Sequence, residues 1–264
     1  MSVRLFILVA LLLAGRAHSC FAEESPTRAP LASALDFKSA GAFFAAIDEQ
    51  CQPNWSQIVQ PPSAPISPAR EALAFQIGVL VADAFAAIQA NNGQCVKNTT
   101  HEITALTKKL NLDQGILARN RSIGDFADKG SWNELQIEIN AAQKDIISGM
   151  QRQNDRDLMV FLLAGSWVRQ IDIAATLAMS NPKPELAVLL AQPSAADELL
   201  AGFGILSEPA RKGKLTPTLV QGILAARDIM LKTSGGALPD SAIKELASTM
   251  SQILNHMSAP VPKP

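Results

Sequence analysis

The amino-acid sequence predicts an all-α protein, a single globular bundle of about nine to ten helices around two long central apolar helices. Two stretches, residues 68–90 and 155–180, are apolar on nearly every helical face, so each must be covered by other helices. Alanine and leucine dominate the composition, which favours helices. No run of alternating β-branched or aromatic residues lies between turn residues, so no strand is predicted.

The first 22 residues have the pattern of a signal peptide. Residues 1–4 carry one positive charge, and residues 5–15 form an apolar run of 11 that is too short to span a bilayer. Cleavage after Ala22 is preferred to cleavage after Ser19, because it removes Cys20 and leaves an even pair of cysteines. The mature chain is therefore expected to be periplasmic or secreted. The alternative is a lipoprotein anchored through Cys20.

Composition divides the remaining chain into three parts. Residues 23–36 are predicted to be a flexible tether, residues 37–258 an all-helical domain, and residues 259–264 a disordered tail. Several prolines within residues 52–67 predict an extended connection after the first helix. The predicted helices cover residues 37–50, 68–90, 95–110, 114–128, 132–152, 155–180, 184–191, 195–206, 217–233 and 240–257.

Each of these helices begins or ends at a local signal. Ser67 followed by Pro68 is typical of a helix start, and Asn154 and Asp240 can cap the sixth and last helices. Proline, glycine or asparagine ends a helix because these residues break the helical hydrogen-bond pattern or accept left-handed backbone. Such stops occur at residues 52–53, 91–93, 129–130, 181–182 and 234–236.

The second helix is the predicted centre of the fold. Its interior, residues 72–88, contains only two polar side chains, Gln76 and Asp83, which are seven residues apart and so lie on one narrow stripe. Small residues recur at every fourth position and form a groove that a neighbouring helix can approach closely. These small residues are Ala74, Gly78 and Ala82. The length and hydropathy would also suit a membrane span, but the polar residues favour a buried helix in a chain without a membrane span.

The two cysteines that remain after cleavage, Cys51 and Cys95, are predicted to form a disulfide, because export leads to an oxidising compartment. They follow the ends of the first and second helices, so a bridge would make these helices roughly parallel. The alternative is two unpaired, buried thiols.

Asp83 lies in the middle of an apolar helix, where an unpaired carboxylate is costly. Arg169 lies in the other long apolar helix, so the two are expected to pair or to join a shared network. Such a network either fixes helix register or anchors a ligand in a cavity. The candidate network consists of Gln76, Asp83, Ser166, Arg169 and Asp172.

Recognised catalytic chemistry is absent from the sequence. Only His101 and His256 remain after cleavage, and neither has a second ligand at metal-binding spacing. No catalytic residue, cofactor site or metal site is therefore predicted. The mature chain has 21 basic and 24 acidic residues, a net charge of −3, without a basic cluster, so nucleic acid is not an expected partner.

Three segments, residues 75–85, 118–132 and 164–174, resemble parts of uncharacterised, exported, all-helical bacterial proteins. The likeness covers about the middle half of the chain. It implies the helical fold and export, and it implies no activity.

These observations favour an exported, soluble, non-catalytic binding or structural module of the cell envelope, with an unknown protein or envelope partner. One alternative is a carrier of a small apolar ligand between the two central helices. Another is an enzyme that uses a carboxylate such as Asp83. The oligomeric state is not predicted.

Overall fold

The computed structural model describes residues 39–60, 67–233 and 236–258. The predicted signal peptide, the whole of the tether (residues 23–36) and the C-terminal tail lie outside these residues. The helices are α1 (Ala40–Cys51), α2 (Arg70–Gln89), α3 (Gly93–Lys109), α4 (Asp113–Lys129), α5 (Trp132–Arg152), α6 (Arg156–Ser180), α7 (Pro184–Leu189), α8 (Pro193–Gly204), α9 (Glu208–Arg211), α10 (Leu215–Leu231) and α11 (Asp240–Ser258), and a short 3-10 helix covers Trp55–Gln57.

The predicted all-α class is confirmed, and the described residues contain no β-strand. Ten helices correspond to the ten predicted segments. The eleventh, α9, is a single turn between the predicted helices at residues 195–206 and 217–233, where the Ser207 hydroxyl caps the backbone N–H of Ala210. The second helix begins at Arg70 instead of Pro68, with Ala69 in extended backbone before it.

The two long apolar helices, α2 and α6, form the centre of the bundle and contact each other more extensively than any other pair. They touch at two glycines. A Cβ atom on Gly78 would lie 1.9 Å from the carbonyl oxygen of Leu162, and one on Gly165 would lie 2.0 Å from the carbonyl oxygen of Phe75. The missing side chains therefore allow the two backbones to meet, and Gly78 is the middle residue of the predicted small-residue groove.

The other helices cover the two central ones. Helix α3 packs on α2, helix α11 packs on α6, and the pairs α4 with α5 and α8 with α10 extend the bundle outward. One continuous cluster of buried apolar side chains runs from Ala40 to Met257. Burial in this core explains why the polar side chains inside α2 and α6 are few and mostly hydrogen-bonded, since an unpaired polar group there would lose its hydration.

The predicted disulfide is not formed, because Cys51 and Cys95 are both buried free thiols and are not within bonding distance. Gly41, near the start of α1, packs against the ring of Phe85, near the end of α2. The start of α1, and not its end, therefore lies beside the end of α2, which corrects the predicted parallel arrangement. Helix α1 then carries Cys51 about 15 Å from this contact, at about 1.5 Å per residue. There Lys183, just before α7, donates a hydrogen bond to the Cys51 carbonyl oxygen.

Three helical stretches in the described chain are long and apolar enough to cross a membrane by length and composition: Arg70–Gln89, Arg156–Ser180 and Pro184–Gly204. The first two, which are α2 and α6, have 89% and 94% of their most apolar window buried against the rest of the protein. The third spans α7 and α8 and has 44% of its window buried. The apolar surface of the two central helices is thus covered within the fold.

Candidate functional site

A cleft of about 390 Å³ lies between α2, α6, α11 and the segment that follows α1. We call it the central cleft. On each helix the lining residues are adjacent or three to four positions apart, so each helix contributes one face. The lining residues are Gln57, Ile58, Gln60, Phe75, Gln76, Val79, Asp83, Arg169, Asp172, Ile173, Thr176, Ser251, Leu254 and Asn255.

Arg169 connects α2 and α6 within the cleft. Its Nε donates to Asp83 Oδ1 at 2.7 Å, and its Nη1 donates to Asp172 Oδ2 at 2.6 Å. The side chains are 16% exposed for Arg169, 18% for Asp83 and 10% for Asp172, so the ion pairs are largely shielded from water. The sequence had suggested an Asp83–Arg169 pair and had included Asp172 in the candidate network, and the structure places all three charges in one network.

Two carboxylates share one guanidinium in this network, and the charges act on each other. Loss of hydration raises the pKa of Asp83, and the nearby Asp172 charge adds to this effect. The attraction and hydrogen bond of Arg169 lower the pKa of Asp83 without cancelling the increase. Burial alone would lower the pKa of Arg169, but the two carboxylates raise it above its ordinary value. Arg169 therefore stays charged, and Asp83 is the carboxylate that takes up a proton more readily than in water.

Helix α11 adds a third element to the network. The Ser251 hydroxyl donates to Asp172 Oδ1 at 3.2 Å, and the Thr176 hydroxyl donates to the Asp172 backbone carbonyl at 2.8 Å. Sequence reasoning missed Ser251, because it lies on the polar face of an amphipathic helix, and such a face is ordinarily solvated. Only the packing of α11 against α6 brings Ser251 to Asp172.

The two remaining residues of the predicted network have different environments. Ser166 accepts a hydrogen bond from the Gln170 amide at 3.0 Å, and this buried pair does not line the cleft. Gln76 lines the cleft and is only 8% exposed, and its side-chain amide forms no hydrogen bond within the described part of the chain. A buried amide that faces a cleft without a protein partner is a group that water or a ligand can satisfy.

The remaining polar groups of the cleft lie nearer the surface. Gln57 and Gln60 precede α2, and Asn255 is on α11; all three are exposed, and none of their side chains has a hydrogen bond to another described residue. With Gln76, the cleft thus presents four amides, each of which can donate and accept hydrogen bonds. Sequence reasoning did not single out these three amides, because no periodicity connects them before the chain folds.

Other reactive groups are scattered in the part of the chain that the structure describes. No three His, Cys, Asp or Glu side chains come together there as a metal site would require. His101 lines a shallower pocket with Asn120, and His256 contacts the Thr218 hydroxyl at 3.3 Å. The central cleft is the place where buried charge, unpaired amides and open volume coincide.

Comparison of the chain with models of known protein families, with curated proteins and with solved structures finds no match. Assignment of a function therefore depends on the geometry of the cleft.

Proposed function

We propose that this protein is an exported, non-catalytic binding module of the cell envelope that holds a small polar ligand in the central cleft. The observation that carries the proposal is Gln76: a side chain only 8% exposed, whose amide has no hydrogen bond to another described residue and opens onto a cleft of about 390 Å³. A volume of this size falls within the range of small-molecule sites. Rigid helices supply most of the lining, so the site is preformed.

The lining favours a polar ligand over the apolar ligand considered from the sequence. Most of the lining side chains carry a hydrogen-bonding or charged group, and the network of Asp83, Arg169 and Asp172 lies among them. An apolar ligand would remove water from these groups without replacing its hydrogen bonds, which costs free energy. A ligand with several donors and acceptors would replace them.

Export remains part of the proposal and rests on the charged start, the apolar run and the small-residue sites within residues 1–22. Intact mass measurement of the protein from its own host tests it. We expect a chain that begins at Glu23. A chain that begins at an acylated Cys20 would show the lipoprotein alternative, and a chain that retains Met1 would contradict export.

Native mass spectrometry of the protein purified from its own host tests the binding function directly. We expect a co-purified small molecule that is lost in the variant Asn255→Trp, because an indole at this exposed position would occupy the mouth of the cleft. Gln252→Trp is the matched control, since Gln252 is exposed on the same helix and does not line the cleft.

A ligand that remains bound in Asn255→Trp would place the site elsewhere. Absence of any bound molecule, together with an unchanged melting temperature across a panel of charged and neutral polar solutes, would reject the proposal. Both variants retain the core, so each is expected to fold with the helical content of the wild type.

A further inference from the structure

The charges of the central cleft suggest the chemical class of its ligand. Among the described residues that line the cleft, only Asp83, Asp172 and Arg169 have side chains that are charged at neutral pH. When both carboxylates are ionised, the cleft carries one negative charge more than the guanidinium balances. We infer that the cleft binds a small organic cation, a polar molecule with a protonated amine. This inference rests on the proposed function and adds the class of the ligand.

The arginine is a poor site for an anionic ligand. Its Nε and Nη1 groups donate to carboxylates, at 2.7 and 2.6 Å. A carboxylate or phosphate ligand that approached the remaining N–H groups of Arg169 would be repelled by both Asp83 and Asp172 in a poorly hydrated place. The positive charge in the cleft is therefore already more than balanced, and the arginine acts as a clamp that holds the two carboxylates in position.

Asp83 has capacity for a second partner. Arg169 donates to Oδ1, and no hydrogen bond reaches Oδ2 from the residues that the structure describes. An ionised carboxylate accepts several hydrogen bonds, so an ammonium group beside Asp83 would both complete its hydrogen bonding and balance its charge. The raised pKa of Asp83 is consistent with this role, because without an ammonium group a proton can neutralise the carboxylate instead.

A metal ion fits the cleft less well than an ammonium group. Calcium takes six to eight oxygen ligands at about 2.3–2.6 Å, and both carboxylates here are already bound to an arginine. The amides of Gln57, Gln76 and Asn255 instead offer neutral donors and acceptors, suited to the hydroxyl or amide groups of a polar organic molecule.

Two sets of matched probes test the sign of the charge. One set is glucosamine, glucose and glucuronate, and the other is 1,4-diaminobutane, 1,4-butanediol and succinate. Isothermal titration at neutral pH and low salt is expected to show binding of at least one amine, with its neutral and anionic counterparts at least about tenfold weaker. Asp83→Asn is expected to remove most of this preference, whereas Gln252→Trp is expected to retain it.

The outcomes separate the inference from the proposed function. If a neutral or anionic probe binds as tightly as its amine counterpart and Asn255→Trp abolishes this binding, the cationic inference fails and the binding function stands. If Asp83→Asn binds the amine as tightly as the wild type, the inference also fails. If no probe binds and no molecule is found on the purified protein, both fail. If calcium binds to the wild type and Asp83→Asn abolishes that binding, the cationic inference also fails, and the ligand of the cleft is a metal ion.

Discussion

Gly78 of α2 and Gly165 of α6 each occupy the place where the other helix brings its backbone closest. A methyl group on Gly78 would lie 1.9 Å from the Leu162 carbonyl oxygen, and one on Gly165 would lie 2.0 Å from that of Phe75. The two central helices therefore pack backbone to backbone, and this close contact brings Asp83 and Arg169 within reach of each other. Neither glycine has a polar side chain, yet the close packing that both allow determines the geometry of the central cleft.

Replacing either central glycine by alanine is expected to destabilise the protein by about 3 kcal/mol or more, because the clashing atoms are backbone and cannot move aside. Gly124→Ala is the matched control, since Gly124 also lies in a helix and a Cβ there would meet nothing within 4 Å. Because alanine has a higher helix propensity than glycine, Gly124→Ala is expected to stabilise the protein by up to about 1 kcal/mol. Urea unfolding measures all three variants. Equal effects at Gly124 and Gly165 would contradict the close contact.

Arg169→Met is expected to lower the free energy of unfolding by about 2 kcal/mol, because it leaves two poorly hydrated carboxylates without a cation. The network is partly exposed, so this loss of stability is smaller than for a fully buried ion pair. The double variant Arg169→Met with Asp83→Asn is expected to recover part of this loss. Lys232→Met serves as a control, since its bridge to Glu245 is about half exposed and should contribute less than about 1 kcal/mol. A double variant less stable than Arg169→Met would refute the charge argument.

The pH dependence of stability is expected to differ between the wild type and Asp83→Asn. A carboxyl whose pKa is raised on folding binds its proton more tightly in the folded state. Its stabilising contribution is complete below the unfolded pKa of about 3.9 and is lost as the pH rises through the raised folded value. The wild type should therefore lose stability relative to Asp83→Asn as the pH rises above about 4, in thermal melts at matched ionic strength.

The titratable and charged groups near Asp83 in the described chain lie on two helices, α6 and α3. Arg169 and Asp172 face it from α6, and the Cys95 thiol of α3 is close enough for the Asp83 charge to raise its pKa, after the larger effect of burial. Helix α11 and the described part of the segment after α1 contribute only uncharged groups to the cleft. A stability difference that is constant with pH, or that changes in the opposite direction, would contradict the raised pKa of Asp83.

Both Cys51 and Cys95 are expected to react slowly with a thiol reagent in the native protein and rapidly after denaturation. Burial raises the pKa of each thiol and lowers the fraction of reactive thiolate. Titration of the mature chain in denaturant without reductant should find two thiols. A result of zero thiols would restore the disulfide that the sequence suggested.

The helices themselves could be predicted because their signals are local. Apolar residues on nearly every face of α2 and α6 require burial on nearly every face, and this requirement holds whatever the partners are. The Asp83–Arg169 pair could be predicted for a related reason: two opposite charges, each in a long apolar helix, have few other partners with which to form an ion pair. Gly78 could be recognised as the middle of a row of small residues, although its contact with the Leu162 backbone could not be predicted.

The sequence by itself thus determined the class of fold, the two helices at its centre and the residues that must find polar partners within it. Only the tertiary structure decided the direction of α1, which separates the two cysteines, and the position of α11, which brings Ser251 to Asp172. The physical reason is that helix formation depends on neighbours three and four residues away, whereas a cleft depends on how distant faces meet. The central cleft depends on the meeting of distant helix faces, so only the tertiary structure shows it.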